Sequence, residues 1–306
     1  MTVVDCHAHV IVRDVGADVA WEDGAQVVRF AGREIRSAVR EFVDVERILE
    51  EQDRAGVDLV LLCPWVTLLG RETQRQNEAL AGMTGERVAA LGTVDLERPG
   101  ELVDLMRDGR LAGVEVAASV GGDYLGAERF ADFWAAAEEA GALVFVHPTT
   151  RGFDLPVFDD YYLWNAVGNP LETTVTAAQM VMAGVLERHR RLNVLLAHAG
   201  GAILALRGRV RHAHSFQPQA RVRLAESPED SLRRFHYDTI THDAALLAQV
   251  VEFAGHERVV CGSDYPFDMG VERPAEIVRS LELAAEDEAG ILGGNALRLL
   301  GQEGAA

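Results

Sequence analysis

Val3-Val4-Asp5-Cys6-His7-Ala8-His9 opens the chain as an apolar, β-branched run that ends in His-x-His. Side chains alternate faces along a strand, so His7 and His9 point the same way, roughly 6–7 Å apart along it. Two imidazoles so placed can occupy adjacent positions on one metal ion. Taken alone, the pair reads equally well as a strand end with two exposed histidines. Three later stretches share its form: Leu143-Val144-Phe145-Val146-His147, Val194-Leu195-Leu196-Ala197-His198 and Val259-Val260-Cys261-Gly262-Ser263-Asp264. A barrel of parallel strands gathers the C-terminal ends of all its strands around one pocket. In such a barrel four strand ends, carrying His-x-His, His, His and Asp, would converge.

The length of 306 residues suits a single (β/α)8 domain over 1–306, and 48% hydrophobic residues supply a sizeable core. No run of eighteen or more apolar residues occurs, which argues against a membrane span. Met1 runs directly into the first strand without a basic and then apolar leader, which predicts a cytoplasmic location. Cys6, Cys63 and Cys261 lie in apolar strand-like runs and are expected as buried free thiols. The formal net charge of -19 disfavours nucleic acid as a partner. All 29 basic residues are arginine. The absence of lysine excludes Schiff-base aldolase chemistry, a phosphate-binding P-loop and pyridoxal phosphate attachment. It also removes the carbamylated lysine that bridges two metals in many barrel hydrolases, which favours a single-metal site.

Going along the chain, the segment from about Val12 to Phe42 is too long for an ordinary loop after a strand. It reads as a small β-rich insertion over the barrel mouth. Asp44 is a plausible N-cap for an amphipathic helix that Gly56 ends. Strand two, Asp58–Cys63, leads into Pro64-Trp65. Strand three spans Val88–Val94 and strand four Gly113–Val116. After strand five and His147-Pro148 comes a long loop, Thr149 to Pro170, with Phe153, Phe158, Tyr161, Tyr162 and Trp164. So aromatic a loop is a candidate substrate lid or subunit contact, and Trp65 and Trp164 are candidate substrate contacts. A helix from Leu171 to Arg190 precedes strand six. Strand seven, Phe235–Ile240, and strand eight, Arg258–Asp264, complete eight strand–helix units, the order expected of a TIM barrel.

His7, His9, His147 and Asp264 form the candidate metal set. Three imidazoles and one carboxylate suit zinc, and manganese, iron or cobalt could also bind. His198 is a fourth strand-end histidine. A fifth protein ligand would fill the position that water needs, so His198 is assigned as general acid/base beside the metal. Asp264 can ligate and also exchange a proton. His189 and His256 are expected at the surface, His236 packed in its strand and His242 exposed. Glu115 could bridge a second metal, but pairing with an arginine is the favoured expectation.

These residues carry a resemblance. Asp5-Cys6-His7-Ala8-His9, Val146-His147-Pro148, His198-Ala199-Gly200-Gly201, Gly208-Arg209-Val210, Gly262-Ser263-Asp264-Tyr265-Pro266-Phe267 and Gly294-Asn295-Ala296 are similar to motifs of the amidohydrolase superfamily. Within it, the chain resembles the branch of 2-amino-3-carboxymuconate-6-semialdehyde decarboxylase and its aromatic-acid decarboxylase relatives, over nearly its whole length. The resemblance implies one metal ion per chain, non-oxidative decarboxylation and a homodimer. It implies His7, His9, His147 and Asp264 as ligands and His198 as acid/base. It places Arg36 as a substrate-carboxylate arginine and Arg209 as an arginine supplied across the dimer interface. The chain departs from the pattern at Gln217, where a second cross-subunit arginine is expected and a neutral side chain stands instead.

Two activities use the same ligands. One is a metal-dependent decarboxylase of an unsaturated or aromatic carboxylic acid. The other is a hydrolase that cleaves a lactone, amide or carbon–carbon bond with metal-bound hydroxide. A third reading, a metal-binding scaffold without catalysis, leaves His198 without a purpose.

Overall fold

The computed structural model describes residues 1–12, 18–23, 25–30, 33–37 and 41–302, and leaves out the side chains of Phe30, Arg33, Ile35, Arg36 and Ser37. The end of the C-terminal tail, residues 303–306, and parts of the expected insertion lie outside the described residues.

The strands in chain order are β1 (Val4–Val10), β2 (Asp18–Glu22), β3 (Ala25–Phe30), β4 (Arg33–Ser37), β5 (Leu59–Pro64), β6 (Val88–Ala90), β7 (Gly113–Ala117), β8 (Ser119–Val120), β9 (Asp123–Tyr124), β10 (Leu143–His147), β11 (Asn193–Leu196), β12 (His236–Asp238) and β13 (Val259–Val260). Eight of them form a parallel barrel. One arc runs β1-β5-β6 and the other β7-β10-β11-β12-β13. A bridge between Gly92 and Val114 joins the arcs on one side. On the other, the chain after β13 closes onto β1 through Cys6 N–H to Cys261 O at 2.8 Å, Asp264 N–H to His7 O at 2.7 Å and His9 N–H to Tyr265 O at 2.6 Å. The last strand end and the first therefore share a seam, and His7, His9 and Asp264 lie along it.

The helices α1 (Val45–Ala55), α2 (Thr73–Met83), α3 (Pro99–Asp108), α4 (Ala131–Ala140), α5 (Asn169–Met182), α6 (Val185–Arg188) and α7 (Ile203–Phe216) alternate with these strands. Helix α1 starts where its cap predicts, with the Asp44 carboxylate accepting from Glu46 and Arg47 N–H. Gly56 ends it at φ 78°. The single helix expected from Leu171 to Arg190 is in fact two. The chain breaks at Gly184, at φ +71°, where a Cβ would stand 2.6 Å from Arg223 O. Apolar periodicity continues across this break, so the pattern alone does not show it. Strands β2, β3 and β4 form a separate antiparallel sheet between β1 and α1.

The barrel strands are buried on both faces, as the continuous apolar runs require. The side chains of Phe130, Phe133, Trp134, Phe145, Phe235 and Tyr237 are among the largest in the core. Trp134 on α4 is 1% exposed, and its indole N–H donates to Leu125 O at 2.9 Å. Trp134→Ala should lower stability by about 3–5 kcal/mol, read as a shift in the denaturant midpoint with an unchanged slope.

Candidate metal centre

Strand β1 is buried along its whole length. Its register against β5 shifts between Asp5 and Ala8, which leaves the His7 N–H to donate to Asp5 Oδ1 at 3.1 Å. Irregularities of this kind re-aim side chains beside active sites. His7 and His9 now meet edge to face, with ring centroids 5.1 Å apart, and their Nε2 atoms stand 3.1 Å apart.

The other ring nitrogens decide what those Nε2 atoms carry. His7 Nδ1 lies 2.7 Å from Asp238 Oδ2, His9 Nδ1 3.2 Å from Pro64 O and His147 Nδ1 2.8 Å from Pro148 O. Each of these oxygens can only accept, so the network assigns the neutral-ring proton to Nδ1 and the lone pair to Nε2. Asp264 Oδ1 stands 3.3 Å from His7 Nε2 and 3.5 Å from His9 Nε2. The four ligand atoms of His7, His9, His147 and Asp264 all lie within 4.8 Å of one another. Around a tetrahedral ion with bonds near 2.0–2.2 Å, donor atoms stand roughly 3.3–3.6 Å apart. His147 Nε2 and Asp264 Oδ1 are buried without a hydrogen-bond partner among the described residues. A buried set of three imidazoles and one carboxylate whose donor atoms converge this closely fits a divalent metal ion.

The electrostatics agree. Burial alone would lower the pKa of His7, but the Asp264 and Asp238 carboxylates outweigh it and hold it at about 10. Burial, reinforced by His9, His7 and His198, pushes His147 well below its usual value. Burial would raise Asp264, but His7, His198 and His9 hold it well below the usual carboxylate range. The carboxylates thus favour a positive charge at the centre of the cluster.

His198 follows β11 on a turn in which four successive residues have positive φ: His198 at 55°, Ala199 at 51°, Gly200 at 75° and Gly201 at 64°. A Cβ on Gly201 would stand 2.0 Å from Pro170 O, so only glycine fits there. The strained non-glycine pair is held by Asp238, whose oxygens accept the N–H of His198 at 2.9 Å and of Ala199 at 2.7 Å. His198 Nε2 then reaches to 3.6 Å from Asp264 Oδ2. Asp238 therefore orients a metal-facing imidazole and the candidate proton carrier at once. Residue-by-residue reading missed it, although Phe235-His236-Tyr237-Asp238 has the same form of an apolar strand ending in a carboxylate.

A cavity of about 220 Å³ opens beside this cluster, lined by His147, His198, Asp264, Trp65, Trp164 and Arg151 among others. It is smaller than the ~300 Å³ at the lower end of drug-sized sites, which suits a small substrate. Trp65 and Trp164 line it as expected. Arg36 lies in β4, but its side chain is outside the described residues. Arg209 lies in the middle of α7, not at its end, is exposed, and does not line the cavity.

The expectation for Glu115 needs correction. Its side chain is fully buried and has no arginine partner among the described residues; both oxygens lack a hydrogen bond. The nearest basic atom is His9 Nδ1 at 3.8 Å, and burial pushes its carboxyl well above the usual range. On β7 it alternates with Val114 and Val116 and so faces the barrel axis, where no surface arginine reaches. His236 is packed as expected, 2.9 Å from Arg258 Nη1, and burial lowers its pKa to about 3. His242 is exposed. His189 is less exposed than expected and pairs with Glu138 at 3.2 Å.

A match to the amidohydrolase family spans residues 4–302. The chain belongs to that family. This amidohydrolase is 28% identical over 272 residues to 2-amino-3-carboxymuconate-6-semialdehyde decarboxylase of Dictyostelium discoideum, covering 83% of this chain and 75% of that one. It is 29% identical over 182 residues to 6-methylsalicylic acid decarboxylase of Penicillium expansum, covering 58% of this chain and 56% of the relative. Its fold matches dihydroxybenzoic acid decarboxylase from Polaromonas sp. JS666, solved with manganese and the inhibitor 2-nitroresorcinol. That likeness has a TM-score of 0.80 at 16% identity and covers 98% of this chain and 97% of that one.

The amidohydrolase should bind about one divalent ion per chain. Asp238→Ala should weaken binding by about 10–100-fold, the range for losing a partner that orients a ligand, in chelator competition. Two tightly held ions per chain would instead bring Glu115 into the ligand set.

Proposed function

We propose that this amidohydrolase is a metal-dependent, non-oxidative decarboxylase of an aromatic or unsaturated carboxylic acid. The observation that carries the reading is His198, held by Asp238 so that its Nε2 faces Asp264 in a cavity with aromatic walls. The names of the two relatives above support it. His7, His9, His147 and Asp264 would hold the ion, and three imidazoles with one carboxylate favour zinc. The manganese of the Polaromonas structure keeps that metal in contention. Bound there, the ion supplies a Lewis acid for a substrate oxygen.

Loss of CO2 breaks a carbon–carbon bond and leaves its electron pair on the substrate carbon, so a proton has to reach that carbon. His198 is the donor. Asp264, with its Oδ2 toward His198 Nε2, sustains the imidazolium before transfer. Trp65 and Trp164 flank the substrate, and their walls exclude water that would otherwise compete for the proton. Arg36 is proposed as a carboxylate ligand on grounds of sequence position alone.

We also propose a homodimer in which Arg209 serves the neighbouring subunit's cavity. Arg209 has no ion pair among the described residues. It shares a face of α7 with the exposed Leu206 and Phe216, and the exposed Val222 follows nearby. Exposed apolar groups around a lone guanidinium are a better fit to a subunit contact than to open solvent. A single domain in the cytoplasm completes the proposal. The three cysteines, all free and buried, suit a reducing compartment.

Metal-loaded protein should release CO2 from at least one member of a panel of aromatic and muconate-type acids. His198→Ala should keep its metal and lose about 10²–10⁴ in kcat. Hydrolysis of a lactone or amide, with no CO2 from any acid, would establish the hydrolase instead. Mixing Arg209→Ala with His198→Ala chains should restore part of the activity, because one site of the heterodimer keeps both residues. No recovery in heterodimers verified by mass would remove Arg209 from the site.

A further inference from the structure

His7 has a carboxylate, Asp238, directly behind its Nδ1. His147 is held differently: its Nδ1–H donates to the Pro148 carbonyl at 2.8 Å. That carbonyl belongs to the same peptide group as the Thr149 N–H, which donates to Glu172 Oε2 at 3.1 Å. A carboxylate, one peptide and a candidate metal ligand therefore stand in single file. The order is Glu172 Oε2, Thr149 N–H, Pro148 C=O and His147 Nδ1.

Glu172 lies in the first turn of α5, where unsatisfied backbone N–H groups favour negative charge, and it is fully buried. Its Oε2 also accepts the Thr150 N–H at 2.9 Å and the Thr150 hydroxyl at 2.7 Å. Its Oε1 accepts the Ser119 hydroxyl at 3.2 Å. Every one of these donors is neutral, and no arginine or histidine pairs with Glu172 among the described residues. Its charge is not cancelled by a cation, so it acts on the peptides that it touches, in surroundings of low dielectric.

A negative charge at the N–H end of a peptide polarises the group and enriches the oxygen at its other end. The Pro148 oxygen then draws harder on the His147 Nδ1 proton. An imidazole whose outer N–H is held more strongly is a more basic ligand at its other nitrogen. His147 Nε2 is that nitrogen, and it is buried without a hydrogen-bond partner at the metal centre. The contact lengths agree: His9 Nδ1 also faces a proline carbonyl, Pro64 O, but at 3.2 Å.

We propose that Glu172 is a positioning residue for the metal ligand His147, acting through the Pro148–Thr149 peptide as Asp238 acts on His7 by direct contact. This rests on the ligand assignment of the metal centre and not on the reaction catalysed there.

Glu172→Gln tests the charge alone. Its amide oxygen can accept the three bonds of Oε2 and its amide nitrogen can donate to the Ser119 hydroxyl, so the turn keeps its bonds. In chelator competition for zinc on the full chain, this variant should bind about tenfold more weakly than wild type, the lower end of the range for an outer partner of a metal ligand. In zinc-loaded protein with isotope-labelled histidine rings, the His147 Nδ1–H proton resonance should move upfield, as a weaker hydrogen bond requires, while that of His7 stays in place. In wild type the His147 resonance should lie downfield of that of His9, a comparison that needs no variant. Thr150→Val removes one Glu172 contact but leaves the file intact, and should keep both the affinity and the resonance near wild type. The thermal midpoints of the metal-free chains check that each is folded. Wild-type affinity or an unmoved His147 resonance in Glu172→Gln would overturn the proposal, as would the reverse order of His147 and His9 in wild type. An equal loss in Thr150→Val would assign the effect to loop order and also overturn it. A wild type that takes up no zinc would remove the metal centre and this inference together. Zinc binding without CO2 release from any acid would count against the decarboxylase reading alone.

Discussion

The Nε2 atoms of His7 and His9 stand 3.1 Å apart, a spacing that two buried imidazoles hold only with a positive charge, a proton or a metal ion, between or beside them. Their Nδ1 atoms are committed elsewhere, His7 to Asp238 and His9 to the Pro64 carbonyl, so neither ring can turn its proton inward without losing a buried hydrogen bond. The seam between the first strand and the end of the last adds Asp264, and β10 adds His147. The fold keeps these four groups buried and converged on one point.

Asp238 links that centre to the turn that carries His198. One carboxylate fixes the tautomer of His7 and, through two backbone N–H groups, the unusual turn that carries His198. The orientation of His7 and the position of His198 are therefore coupled through a single side chain at the end of β12. Glu172 has a comparable place on the opposite wall, where one buried carboxylate gathers the turn after His147 and so aims the loop that bears Arg151 and Trp164. In both cases a buried acid sets the geometry of residues that line the cavity.

The wall and the centre differ in what they can specify. The metal cluster is built of groups that any acid substrate of this chemistry would meet. The aromatic loop carries the variable information: an arginine over a tryptophan, a tyrosine edge and two peripheral carboxylates within one small cavity. Substrate choice is expected to reside there, because loops tolerate change that barrel strands do not.

Barrel and ligands were readable from the chain because parallel strands convert a one-dimensional pattern into convergence. An apolar run of strand length with a histidine or aspartate at its end names both a strand and a side chain at the pocket. That logic singled out His7, His9, His147 and Asp264, which the fold brings together, and His198 beside them, and the cap residues Asp44 and Gly56 marked α1 for local reasons. It could not find what depends on partners distant in the chain. At the break, Gly184 is packed so closely against Arg223 O that a Cβ would stand 2.6 Å from it. Among the described residues Glu115 meets no arginine and both its oxygens lack a hydrogen bond, whereas strand periodicity reports only which face it takes. Asp238 is one carboxylate among many until folding puts it 2.7 Å from a histidine 231 positions away. Arg151 is an ordinary loop arginine until the path of that loop lays it over Trp164. Periodicity and strand ends are local properties and sequence holds them; pairing between buried groups is a property of the closed barrel, and only tertiary structure decided it.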